Sequence, residues 1–183
     1  MFRGFIAVDI GAMPEIVKFI DKLRAIRSLK LVEPQNVHLT LKFLGNVDEN
    51  KIDKIAEIMQ KSIEGVKSFK LKLKGAGAFP GLSRPRVLWI GTENTLHLLR
   101  IANYLNESLQ ALGFEKEARA FSSHVTVARV KFLKDKKELQ ELLLKAKDKE
   151  FGEIVISSIR LKKSVLTPKG PEYSTVKEIE LKG

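Results

Sequence analysis

Cysteine is absent from the 183 residues, and histidine occurs only three times, tyrosine twice and tryptophan once. Without a thiol there can be no disulfide framework, no cysteine nucleophile and no thiolate metal site, a composition suited to a reducing cytoplasm. No apolar run approaches the roughly 18 residues that a membrane span requires. The N-terminal stretch MFRGFIAVDIGAMPE is interrupted by Asp9 and lacks a small-residue cleavage site, so it reads as a first strand and not as a secretory signal. Low-complexity segments and long flexible linkers are missing as well. These absences leave a soluble protein, and 183 residues with 44% hydrophobic content can bury a full core. One domain over residues 1–183, a monomer of two lobes, is the simplest expectation.

Acidic residues are outnumbered. Lys and Arg total 33 against 22 Asp and Glu, a net charge of +11, which favours a polyanionic partner. A Lys- and Glu-rich composition is also what a heat-stable, heavily solvated surface requires, a separate cause of the charge content.

Strand and helix patterns alternate along the chain. FRGFIAVDI reads as a strand, and Ile16, Phe19, Ile20 and Leu23 give a helical face opened by Pro14. NVHLTLKFLG is a strand, Ile52, Ile55, Ala56 and Met59 mark a second helix, and SFKLKLKGAG alternates like a half-exposed strand. After the Gly- and Pro-containing GAGAFPGLSRP the same order begins again: strand RVLWIG, helix NTLHLLRIANYLNESLQALG, strand HVTVARV, helix KDKKELQELLLKAKDK, strand EIVISSIRLKKSVL and a last strand EYSTVKEIEL. A duplication giving two facing lobes is expected.

Two of the three histidines carry the same pattern. In NVHLTLKFLG and SSHVTVARVK, a histidine is followed two positions later by a threonine and flanked by apolar residues. Residues i and i+2 of a strand project from one face about 7 Å apart. His38 points with Thr40, and His124 with Thr126, while Leu39, Leu41, Phe43, Val125 and Val127 are expected on the buried side. One such strand would be ordinary packing, but two among three histidines and six threonines point to chemistry. His97 lies in a helical pattern without the motif and reads as a surface or packing residue.

Two imidazoles facing one cleft suit phosphodiester cleavage. The neutral ring takes a proton from the nucleophile, and the protonated ring gives one to the leaving oxygen. Threonine hydroxyls can hold the non-bridging oxygens. Two histidines are a poor metal set, and there is no HExxH or comparable cluster, so no metal or other cofactor is expected. Lys42, on the His38 face, would attract phosphate or stand in solvent. Phe79 and Phe121 would stack on bases or pack between the lobes.

The order RGFIAVDI, NVHLTLKFLG, GAFPGLSRPRVLWIG, FSSHVTVARV, LTPKGPEY resembles the two-histidine (2H) phosphoesterase superfamily, and within it the LigT-like RNA 2',3'-cyclic phosphodiesterases. The resemblance implies an α+β fold: bilobal, with two mostly antiparallel sheets related by a pseudo-twofold, outer helices, and a cleft where His38, Thr40, His124 and Thr126 meet. It implies opening of a terminal 2',3'-cyclic phosphate on RNA to a 2'-phosphate, with 2',5' joining of RNA ends as the reverse type of reaction, and RNA ends of this kind, tRNA fragments among them, as partners. Carried onto this chain, His38 is the acid and His124 the base. Arg129, three residues after Thr126, contacts the phosphate or a base. Strict alternation puts Arg129 on the wrong face, so a twist or bulge beyond Thr126 is required; a surface arginine at the end of the strand is the other reading. Ser123 stands where many relatives have proline, which bears on the rigidity of the loop before His124. Two other readings fit the motif: a non-catalytic RNA-binding module that tolerates loss of either histidine, and a phosphodiesterase of small cyclic nucleotides.

Overall fold

A computed structural model describes residues 1–183. Nine strands run β1 Phe2–Asp9, β2 Leu29–Leu31, β3 His38–Val47, β4 Phe69–Phe79, β5 Val87–Glu93, β6 His124–Val130, β7 Glu150–Ile156, β8 Ser158–Thr167 and β9 Gly170–Glu180. Four α-helices, α1 Pro14–Leu23, α2 Ile52–Ser62, α3 Leu96–Ser108 and α4 Lys136–Lys145, lie between them.

The helix starts follow from local chemistry. Proline opens α1 with Glu15 in its first turn, where a missing N–H costs nothing and a carboxylate meets the positive end of the helix dipole. Ahead of α2, the Asp48 carboxylate accepts from Asn50 N at 3.2 Å. Each helix turns one apolar stripe inward: Ile16, Phe19, Ile20 and Leu23 on α1, and Leu98, Ile101, Ala102 and Leu105 on α3.

The strands form two antiparallel sheets, ordered β3-β1-β8-β9 and β2-β6-β5-β4-β7. The trio β3-β1-β8 matches β6-β5-β4 in order and direction, the pseudo-twofold of an α+β fold with two lobes. The lobes are not the two halves of the sequence. β4 follows the first motif but joins the second sheet, and β8 returns from the second half to the first sheet. Helices cross over likewise: α2 and α3 pack against β9 and β3, while α1 and α4 pack against β2, β7 and β4. One continuous cluster of 42 buried residues spans both sheets, so neither lobe has a core of its own.

Three sequence expectations change. EIVISSIRLKKSVL is two strands, β7 and β8, parted at Ser157 and placed in different sheets. The strand β2 was too short to register in the pattern, and the first helix ends at Leu23 instead of running toward it. The third change concerns facing. β3 slips one residue against β1, pairing Ala7 with Thr40 but Ile6 with Lys42, and β6 slips against β5 at the equivalent place, pairing Trp89 with Thr126 but Leu88 with Ala128. A bulge inverts the alternation beyond it. Phe43, expected inside, is therefore 61% exposed, and Lys42, expected beside His38 or in solvent, is 1% exposed.

Candidate active site

The paired bulges sort the side chains of the cleft. Before each bulge His38 and Thr40, or His124 and Thr126, are half-buried on one face above Leu39 or Val125 in the core. After it the face continues through Phe43 in β3 and Arg129 in β6, which occupy equivalent positions and are both exposed. Of the twist or bulge that would bring Arg129 onto this face, the strand has a bulge.

Both imidazoles are held in the same way. His38 Nδ1 lies 2.7 Å from the Asn36 carbonyl, and His124 Nδ1 lies 2.7 Å from the Ser122 carbonyl. A carbonyl only accepts, so each Nδ1 carries the hydrogen and each Nε2 keeps its lone pair when the ring is neutral. The carbonyl of Val37 receives the N–H groups of Ile10 and Gly11, tying the entry to β3 onto the end of β1. On the other side, Ser123 Oγ and Thr92 Oγ1 are 2.5 Å apart. That bond tethers the loop immediately before His124.

The two rings sit in different company. Phe5 and Tyr173 flank His38, with ring centroids 4.9 and 5.3 Å away. Phe79 meets His124 edge-on at 5.0 Å and leans on Trp89 at 5.4 Å. Trp89 lies over Gly77, where a Cβ would collide with the indole. Phe121 instead packs against the core and lines a hollow of about 250 Å³ behind β3, whose lining includes neither histidine. His97 is exposed, with its ring 4.9 Å from Phe69, a packing position.

Burial pushes the His38 pKa below the usual imidazole value; the Asn36 carbonyl and Asp9 charge oppose this, while Lys162 and His124 add to it. His124 is thus near enough to bear on His38 electrostatically. Burial alone would push the Asp9 carboxyl up, but hydrogen bonds and charge from Lys162 and Arg160 hold it below its usual range. Lys162 Nζ lies 3.0 Å from Asp9, and Arg160 bridges Asp9 to Glu178. Burial raises the Tyr173 phenol while the charge of Arg129 opposes it, which sets Arg129 across the cleft from the residues around His38. No three His, Asp or Glu side chains converge as a metal-ligating group.

Lys42 points away from this face. Its ammonium donates to Asn106 Oδ1 at 2.8 Å and the Glu115 carbonyl at 2.7 Å, and lies 3.7 Å from the Glu117 carboxylate. Asn106 closes a bracket on residue 117, accepting from its N–H at 2.9 Å and donating to its carbonyl at 3.0 Å. Lys42 therefore fastens the segment between α3 and His124 to the strand that carries His38.

Motif spacing alone did not pick out Phe5, Asp9, Trp89, Lys162 or Tyr173. An acidic residue closing an otherwise apolar strand was the one signal available, at Asp9. The others reach the cleft through sheet order.

Two equivalent strands, each presenting one oriented imidazole and one hydroxyl across a shared cleft, define a two-histidine phosphoesterase architecture. A family model described as LigT-like phosphoesterase matches residues 10–89 and again 90–173, and the chain belongs to that family. It is 43% identical over 178 residues to the RNA 2',3'-cyclic phosphodiesterase of Methanocaldococcus jannaschii, covering 96% of this chain and 99% of that one. It is 39% identical over 180 residues to the protein of the same name from Archaeoglobus fulgidus, with 97% and 99% covered. A crystal structure from Thermus thermophilus superposes with a TM-score of 0.82 at 28% identity, over 99% of this chain and 98% of the other.

Proposed function

We infer that this protein is an RNA 2',3'-cyclic phosphodiesterase, a hydrolase that opens the terminal cyclic phosphate of RNA to a 2'-phosphate and a free 3'-hydroxyl. Water attacks phosphorus, the bond from phosphorus to the 3' oxygen breaks, and that oxygen leaves as a hydroxyl. His124 Nε2 takes the proton from water and His38 Nε2 gives one to the departing oxygen. Thr40 and Thr126 hold the non-bridging oxygens, and Arg129 binds substrate phosphate from the edge of the cleft. No cofactor has a role in this scheme. The observation that carries the reading is the matched pair of Nδ1–carbonyl bonds, which leaves both Nε2 atoms free for proton transfer. The relatives' activity supports the substrate. Two matches of one family model along the chain support an internal duplication as the origin of the single two-lobed domain. The reading takes the protein as a monomer acting in the cytoplasm on RNA ends such as those of tRNA fragments, with 2',5' joining as the reverse reaction.

The lowered His38 pKa favours a second reading in which the roles are exchanged, because a neutral ring is ready to act as base. An anionic phosphodiester beside the ring works the other way and restores its proton. A substrate with sulfur in place of the 3' oxygen separates the two, since a thiol of pKa about 8.5 leaves without a proton. His38→Ala regains much of its lost rate on that substrate and His124→Ala does not; rescue of His124→Ala instead exchanges the roles.

The direct test is incubation with an RNA ending in a 2',3'-cyclic phosphate and identification of the end group. A 2'-phosphate formed at an undiminished rate in EDTA is expected, and its loss with either histidine replaced by alanine. A binding module would keep its affinity in those variants and turn over nothing. A small-nucleotide phosphodiesterase would prefer mononucleotides to RNA.

A further inference from the structure

The three-residue strand β2 pairs Lys30 with Arg129, and Arg129 pairs on its other side with Val87, which pairs with Phe79. These four residues form one row across the second sheet. Directly opposed residues project from the same face, so Lys30 shares the cleft face with Arg129, and its neighbours Leu29 and Leu31 turn toward α1. Both cations are exposed. Lys30 and Arg129 have neither an ion pair nor a side-chain hydrogen bond, which they share with Arg3, Arg27, Arg84, Arg86 and Arg119; what sets them apart is that they stand directly opposite each other on adjacent strands. Like charges placed opposite each other destabilise a sheet unless an anion lies between them.

We propose that Lys30 and Arg129 together bind the first internucleotide phosphate on the 5' side of the cyclic end, making the site selective for an RNA chain over a mononucleotide. This rests on the activity proposed above. The position fits a second phosphate. The Arg129 row lies two β5 residues beyond the Trp89–Thr126 row, about 7 Å along the strand, and Lys30 lies one strand further out, about 5 Å to the side. That offset suits the next phosphate of a chain and not the one under attack. Phe79, at the other end of the row and against His124, leaves the cationic end as the exit for a polyanion. A guanidinium and an ammonium side by side can share one phosphodiester, the first by its fork and the second as a point charge.

The test compares three substrates with wild type, Lys30→Gln and Lys30→Arg: adenosine 2',3'-cyclic phosphate, the dinucleotide ApA ending in the same cyclic phosphate, and that dinucleotide with a neutral methylphosphonate link. Wild type prefers the charged dinucleotide through a lower KM. Lys30→Gln cuts that preference roughly three- to tenfold, Lys30→Arg keeps most of it, and the preference for the methylphosphonate dinucleotide is the same in all three proteins. An unchanged preference in Lys30→Gln overturns the subsite, as does equal weakening on charged and neutral links. Turnover of none of the three substrates by wild type would instead sink the proposed activity, and the subsite with it.

Discussion

Protonating His38 in the folded protein works against its burial. In the unfolded chain the same ring takes up its proton near pH 6.5. Because burial depresses the folded pKa, the unfolded state binds more protons as pH falls through and below 6.5, so stability declines across that window. Below the folded pKa both states are protonated and the loss levels off. Urea unfolding midpoints for wild type and His38→Gln should therefore converge between pH 8 and pH 5, with wild type losing more. A wild-type midpoint that rises on acidification contradicts the desolvated ring. Asp9 behaves oppositely: its folded pKa is depressed, so its contribution is present above about pH 4 and lost as pH falls through the folded value. At this scale the sequence was most readable, because a repeated His and Thr at strand spacing names a face directly. It misplaced Lys42 and Phe43, since a one-residue bulge leaves no mark in an apolar pattern and yet reverses the side chains that follow it, here until a second slip between Phe43 and Gly45.

The segment from Gly113 to Ser123 has almost no regular structure and must still deliver His124 to its place. Its main fastening is Lys42, a buried cation with two hydrogen bonds and a carboxylate nearby. Lys42→Met would leave the Glu115 carbonyl without its partner and take one of the two hydrogen bonds from Asn106 Oδ1, with an expected cost of about 1–3 kcal/mol in unfolding free energy. The amides of residues 114–123 should then exchange faster than those of β8 and β9, measured by hydrogen exchange. Protection unchanged in that segment would mean the loop is held by other contacts. Gly77→Ala, which drives a methyl group into Trp89, should lower turnover more than it lowers stability, because Trp89 braces both Thr126 and Phe79. Helices and long strands were legible from their periods. The break at Ser157 was not, because β7 and β8 read as one continuous strand pattern.

Across the whole molecule the net charge of +11 predicts that RNA binding weakens steeply with salt, as counterions released from the phosphates become costlier to release. The logarithm of affinity should fall linearly with the logarithm of salt concentration; a flat response would confine recognition to the terminal phosphate. The sheet partners were the least legible feature, because strand order between distant segments is set by how the whole core closes and not by any local pattern. That order has a further consequence. Since β2 and β4 from the first half, and β8 with β9 from the second, each belong to the sheet centred in the other half of the chain, a polypeptide cut between Gly81 and Arg84 would yield two pieces that each own strands with nowhere to dock. Neither piece should fold by itself, yet mixed together they should assemble and regain turnover. Under the duplication proposed above, a single-repeat ancestor would have been competent only as a pair of chains trading strands, a trade that fusion of two copies would make permanent.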